Sequence, residues 1–276
     1  MKNWFGRKAK SEAMLGEEAD AYPDRLLLNY AELSAFANAN GEHYVSADPF
    51  PHVIIDDFLS MEIVDQILDR FPQPDANVKW RQISAKNPIG DKAQYKKQGL
   101  PREFEMSAVA RQLIWELNSG TFIRILERLT GIKNLLPDPL LRGGGIHQVL
   151  PGGVLGVHAD FTRHTDYDLD RRVNALVYLN KDWHDDYEGH LELWDKKVSR
   201  CVKRIRPTAA RCVIFNTDAD SFHGHPRELK CPEGVTRKSI ALYYYSVGRP
   251  EVDREVLPTS ATDWQVLPAV ELPELQ

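Results

Sequence analysis

The chain has 276 residues, enough to bury a sizeable core in one large domain with an appended segment. At 42% apolar and 27% charged it has the composition of an ordinary globular protein. Its 35 basic and 40 acidic residues leave a net charge of -5, which argues against the basic surface that general nucleic-acid binding requires and leaves room only for a local basic patch.

Residues 1–22 read as a loosely structured N-terminal segment. The basic stretch Met1–Lys10 is followed by polar and acidic residues, not by the apolar run of a signal peptide. Pro23–Ala37 carries Leu26, Leu27, Tyr30, Leu33 and Phe36 at helical spacing, and Asn38, Asn40 and Gly41 predict its end. Pro51–Leu59 is short and β-branched and reads as a strand. Ser60 then caps a helix whose apolar face is Ile63, Val64, Ile67, Leu68 and Phe71. Residues 77–102 are polar, with Trp80 and Ile83 as anchors, and hold Lys79, Arg81, Lys86, Lys92, Lys96, Lys97 and Arg102. The segment reads as irregular, of the kind that forms lids and binding loops. Ser107–Leu129 returns to helical periodicity, as two helices broken near Asn118–Gly120.

After Gly143 the pattern changes to short β-like runs: Gly145–Leu150, Val154–His158, Val173–Leu179, Leu191–Trp194, Val198–Ile205, Arg211–Asn216 and Ser239–Val247. The expected architecture is mostly β with flanking helices, a jelly roll whose helices concentrate in the N-terminal half. One domain spans 23–250, with helical support over 23–142 and the jelly-roll core over 143–250. Residues 251–276 form a Pro- and acid-rich C-terminal extension. Cys201, Cys212 and Cys231 are odd in number and form no C-x-x-C pair, so they read as reduced thiols. No run is long enough to span a membrane. Neither a membrane nor a nucleic acid is an expected partner, and the expected compartment is the cytoplasm. The sequence does not specify an oligomeric state.

Seven of the nine histidines lie between His147 and His225. His158 and Asp160 form an H-x-D pattern, and side chains two apart on a strand face the same side. Two histidines and one carboxylate are the ligand set of a non-haem Fe(II) site that leaves other coordination positions open. His223 and His225 are both candidates for the third ligand. The alternative for His225 is a loop residue held against Pro226. Arg237 and Ser239, two apart on a later strand, can anchor a carboxylate through the planar guanidinium fork; the alternative for Arg237 is a salt bridge at the rim.

Five segments in order resemble the 2-oxoglutarate and Fe(II)-dependent dioxygenase superfamily, in its prolyl 4-hydroxylase-like branch. They are Gly152–Asp160 as G-x-x-L-x-x-H-A-D, Tyr178–Trp183, Glu188–Trp194, Ser221–Gly224 and Arg237–Ile240. His52–Leu59 also resembles the N-terminal strand of that family. The resemblance implies a double-stranded β-helix with His158, Asp160 and His223 on iron. It implies Arg237 on the far carboxylate of 2-oxoglutarate, with Tyr178 beside it; a plain core aromatic is the other reading of Tyr178. Where relatives commonly carry tyrosine this chain has Gln148 and Val149, and Gln148 is a candidate cosubstrate contact. Glu188–Gly189 replaces a usual Gly-Gly. The presence of Asp160 argues against the halogenase variant, which opens that position for chloride.

The implied function is hydroxylation of an unactivated C–H bond with release of succinate and carbon dioxide. The implied cofactors are Fe(II), 2-oxoglutarate and O2, with ascorbate as a supporting reductant. Expected substrates are a prolyl residue, a free amino acid or a small metabolite. A basic lid over 77–102 would favour an anionic one, and a merely solvated loop is the other reading. Two rivals are a cupin-like metalloenzyme that does not use 2-oxoglutarate and a non-enzymatic, carbohydrate-binding jelly roll using Trp80, Trp183 and Trp194.

Overall fold

Among the described residues of this computed structural model, which are 22–164, 166–249, 259 and 261–276, four α-helices start on side chains that accept a backbone N–H. Asn29 precedes α1 (Tyr30–Ser46), Ser60 precedes α2 (Met61–Asp69), Ser107 precedes α3 (Ala108–Leu117) and Ser119 precedes α4 (Gly120–Thr130). Gly131, at φ 75°, ends α4 in the left-handed conformation that glycine adopts without strain. None of these helices is long and apolar enough to cross a membrane.

The expected end of the first helix near Asn38–Gly41 is overturned: α1 starts later, at Tyr30, and runs on to Ser46. Tertiary packing overrides the local breakers. A side chain at Gly41 would meet the Arg128 carbonyl of α4 at 3.2 Å, so glycine lets the two helices approach. One turn later the buried Tyr44 donates to Asn216 Oδ1 at 2.7 Å. Leu27 and Leu28, expected inside the helix, precede it, and the buried Glu116 carboxylate accepts their N–H groups. The loose segment expected over 1–22 lies, apart from Tyr22, outside the described residues.

The strands are β1 (His52–Ile55), β2 (Arg81–Lys86), β3 (Lys92–Leu100), β4 (Leu136–Pro137), β5 (Gly145–Ala159), β6 (Asp170–Tyr178), β7 (Leu191–Trp194), β8 (Cys201–Ile205), β9 (Cys212–Asn216), β10 (His223–His225), β11 (Arg237–Ser246) and β12 (Asp263–Trp264). They form one antiparallel sheet in the order β1-β9-β6-β11-β5-β10-β7-β8, curled into a jelly roll. The hairpin β2–β3 adds along β5 through β3, and β12 pairs β5 near its end. Residues 77–102 are therefore not an irregular lid. Their polarity reflects a hairpin with one solvated face, which lacks a continuous apolar signature.

The runs Gly145–Leu150 and Val154–His158, expected as separate strands around a Gly152–Gly153 turn, are one strand with a bend. Gly152 has φ 75°, and a side chain at Gly153 would lie 2.4 Å from Val149. The two glycines permit the bend without ending the ladder. The N-terminal half of β5 pairs β11 and its C-terminal half pairs β10, so the strand joins both walls of the roll.

Period-2 alternation decides what each wall presents. Val173, Ala175 and Val177 of β6 and Ile240, Leu242 and Tyr244 of β11 join the helices in the main core. Their neighbours Asn174, Leu176, Tyr178, Arg237, Ser239, Ala241 and Tyr243 face the inside of the roll. The three cysteines are buried and unbridged. Trp183 and Trp194 are buried and Trp80 packs against the core, so they form no exposed aromatic platform for a sugar.

Candidate active site

The bent strand β5 carries His158 directly opposite His223 of β10, and Asp160 follows β5 by one residue. Potential ligand atoms of His158, Asp160 and His223 all lie within 4.8 Å of one another. His158 Nε2 is 3.6 Å from Asp160 Oδ1, and His223 Nε2 is 3.5 Å from Asp160 Oδ2. Each imidazole has its Nδ1 on a backbone carbonyl, that of Gly156 at 2.8 Å and that of Ser221 at 2.9 Å. Nδ1–H donation to those carbonyls leaves Nε2 as the bare lone pair, the tautomer a metal needs. Burial, and next the adjacent His158, hold His223 down to about 4, so its ring is neutral. This donor set of two neutral nitrogens and one carboxylate fits a divalent first-row metal.

Asp160 is held from behind. Burial opposes its ionisation, but the Arg171 guanidinium and the two imidazoles outweigh burial and keep the carboxyl well below the usual range. Arg171 Nη2 donates to Oδ2 at 2.9 Å and Asn174 Nδ2 donates to the same oxygen at 2.8 Å. Arg171 Nε also donates to Asn174 Oδ1, which locks the pair together. A break in register opposite Tyr244 and Tyr245 accounts for this arrangement. The extra residue in β6 puts both Arg171 and Asn174 on the inner face, although they are three apart. Arg171 lies over the Tyr243 ring at 3.5 Å. Sequence reasoning missed Arg171 and Asn174, because a bulge changes strand parity without a residue signature.

The cavity around the three ligand candidates has a volume of about 260 Å³. Arg237 lies on the inner face of β11, where its Nε donates to the Gly189 carbonyl at 2.7 Å and its Nη2 to the Tyr178 hydroxyl at 3.4 Å. Burial raises the Tyr178 pKa, so the hydroxyl stays protonated. Tyr178 and Ser239 line the same cavity, and the structure brings Arg237, Tyr178 and Ser239 together with the ligand candidates. Gln148 is a correction. It lies on the other face of β5, donating to Gln98 Oε1 at 2.8 Å and accepting from Thr236 at 3.0 Å, and does not line the cavity. Its neighbours His147 and Val149 line it instead, and burial, and next Lys97, push His147 well below the ordinary range.

His225 is not a loop residue held against Pro226. It lies on β10, 2% exposed, lines the cavity, and neither ring nitrogen has a hydrogen-bond partner. Of the basic residues in 77–102, Arg81 and Lys97 line the cavity. Lys96 instead donates to the Pro151 carbonyl and Lys92 lies over the Tyr95 ring. From the C-terminal extension, β12 brings Trp264 opposite His158, with ring centroids 4.8 Å apart, and Thr262 and Trp264 complete the cavity wall.

Residues 144–245 match the family model of the 2OG-Fe(II) oxygenase superfamily. Over this stretch the chain is similar to a 2OG-Fe(II) oxygenase domain. The matched stretch contains His158, Asp160, Tyr178, His223, Arg237 and Ser239. The chain is similar in fold to a prolyl hydroxylase from Trichoplax adhaerens, solved in complex with a hypoxia inducible factor oxygen degradation domain peptide fragment. The TM-score is 0.53 at 17% identity, over 78% of this chain and 91% of that one. A prolyl 4-hydroxylase structure from Phytophthora capsici is similar at TM-score 0.53 and 17% identity, over 82% of this chain and 68% of that one. Comparison with curated proteins gives no match.

Proposed function

We propose that the protein is an Fe(II)- and 2-oxoglutarate-dependent hydroxylase in which His158, Asp160 and His223 hold the iron. Arg237, with the Tyr178 hydroxyl and Ser239 beside it, receives the far carboxylate of 2-oxoglutarate. The observation that carries this reading is the convergence of three matched donors in a cavity whose opposite wall presents a buried guanidinium. When bound, iron, 2-oxoglutarate and O2 supply the oxidative decarboxylation that yields succinate and carbon dioxide and hydroxylates a C–H bond.

The protein's own residues bind, orient and shield. The Gly156 and Ser221 carbonyls fix the two imidazoles in the ligating tautomer. Arg171 and Asn174 occupy one oxygen of Asp160 and set the carboxylate plane. The apolar walls formed by Val149, Leu176 and Leu191 limit the water that can enter beside the reacting group.

The test is substrate-independent succinate formation together with metal content, with ascorbate as supporting reductant. His158→Ala and Asp160→Ala are each expected to abolish 2-oxoglutarate turnover and to lower iron content while circular dichroism stays native. Full turnover with unchanged iron in either variant overturns the ligand assignment. A thermal shift by 2-oxoglutarate on the Ni(II)-loaded protein, lost in Arg237→Met, separates this function from a metalloenzyme that does not use the cosubstrate.

A further inference from the structure

The charges lining the cavity do not balance. Arg81, Lys97, Arg171 and Arg237 bring four cationic groups, and Asp160 is the one carboxylate. Asp160 is already paired with Arg171. In the reading above, 2-oxoglutarate uses one carboxylate at Arg237 and the other at the metal, which consumes both of its charges. Lys97 and Arg81 then remain, and among the described residues neither has a carboxylate within ion-pair distance. Arg81 is exposed and solvated, whereas Lys97 is half-buried, and a half-buried ammonium without a counter-ion costs free energy that a ligand anion would recover.

His225 adds an independent observation. It is buried to 2% exposure, lines the same cavity, and leaves both ring nitrogens without a partner. A buried imidazole that makes neither of its hydrogen bonds is costly, and a ligand oxygen would remove that cost. The strand register places these groups on one stretch of wall. Leu155 of β5 is flanked by Gln94 of β3 on one side and by His225 of β10 on the other, and Lys97 follows on β3 opposite Val149, which Arg237 of β11 flanks on its other side. Arg81 stands on the paired strand β2, opposite Gly99. Burial lowers Lys97 to about 8, so it is still largely charged at neutral pH.

We infer that the substrate carries an oxyanionic group, a carboxylate or a phosphate, which Lys97 and Arg81 receive by charge and His225 by a hydrogen bond. This rests on the oxygenase reading, because that reading commits Arg237 to the cosubstrate. The anion site then sits on the β3–β10 wall, and holding the charged end there orients the remainder of the substrate toward the metal ligands. A neutral analogue of the same shape would leave Lys97 and His225 unpaired and would be rejected.

The test uses the full chain loaded with Ni(II) and 2-oxoglutarate, titrated calorimetrically at fixed ionic strength with inorganic phosphate and, separately, with acetate. At least one anion is expected to bind above the chloride background, and its identity separates the phosphate source from the carboxylate source. Lys97→Met is expected to weaken that binding by about tenfold or more and Arg81→Gln by less, while affinity for 2-oxoglutarate changes by less than about threefold. The inference is overturned if neither anion binds, or if Lys97→Met leaves anion binding unchanged. It is equally overturned if Lys97→Met weakens 2-oxoglutarate as much as the anion, since Lys97 would then serve the cosubstrate. Failure of the wild-type protein to take up 2-oxoglutarate rejects the proposed function instead, and the same titrations on the Ni(II)-loaded protein alone still read the Lys97 site.

Discussion

At Asp160 the two carboxylate oxygens have different partners. Oδ2 takes hydrogen bonds from Arg171 and Asn174, and Oδ1 is turned toward His158. The folded pKa lies below the unfolded value of about 3.9. The stability this group contributes is therefore fully present above that unfolded value and is lost as pH falls through the folded one. Arg171→Met leaves a largely buried carboxylate with a single amide donor. The expected cost to the metal-free protein is about 3–5 kcal/mol, with acid unfolding starting at higher pH. Urea unfolding at pH 7 and an acid titration followed by circular dichroism measure both, and a cost below about 1 kcal/mol would reject this role for Arg171. His158 and Asp160 were legible in the sequence, because H-x-D places two donors on one strand face. Arg171 and Asn174 were not, because their spacing matches an inner face only after the bulge in β6.

At the scale of elements, β5 explains most of what the sequence hid. It is buried on both faces over much of its length, so the alternation that normally tells inside from outside is missing. Gln148, a candidate from the resemblance, therefore faces away from the cavity, while His147 and Val149 beside it face in, on a strand whose parity is not written in its residues. The cap at Ser60 was clearer, since that serine precedes a helix that its side chain starts. The β5–β10 pair also depends on a close approach. A side chain at Gly224 would lie 2.6 Å from the Gly156 carbonyl oxygen and 2.8 Å from that of Leu155. Gly224→Ala is expected to push β10 away from β5, cost about 1–3 kcal/mol and weaken Ni(II) binding by moving His223 from His158. Gly120→Ala, which meets only the Arg124 side chain at 3.7 Å, serves as the control. Equal Ni(II) affinity in the two variants would show that the strand spacing does not set the metal site.

Over the whole molecule the charges are sorted by place. The chain is acidic in sum, yet its cavity is cationic. A net charge of -5 holds no information about the cavity, since four cations lining it vanish among 75 charged side chains. The helical first half and β second half were legible from the change of period after Gly143. The C-terminal stretch was not, because β12 is two residues long and gains its place from β5, not from its own pattern. Leu267, Val270 and Leu272 then pack on the cluster of Val157, Ala159, Trp194 and Phe222, which fastens this last stretch to the roll. Its Trp264 rests 4.8 Å from the imidazole proposed to ligate the metal. An open-shell transition ion held by that imidazole would lie close enough to drain the excited state of the indole. Ni(II) is therefore expected to quench part of the emission of the six tryptophans, and Trp264→Phe to abolish most of that response while Trp80→Phe preserves it. The protein then reports its own metal loading optically, without an added dye.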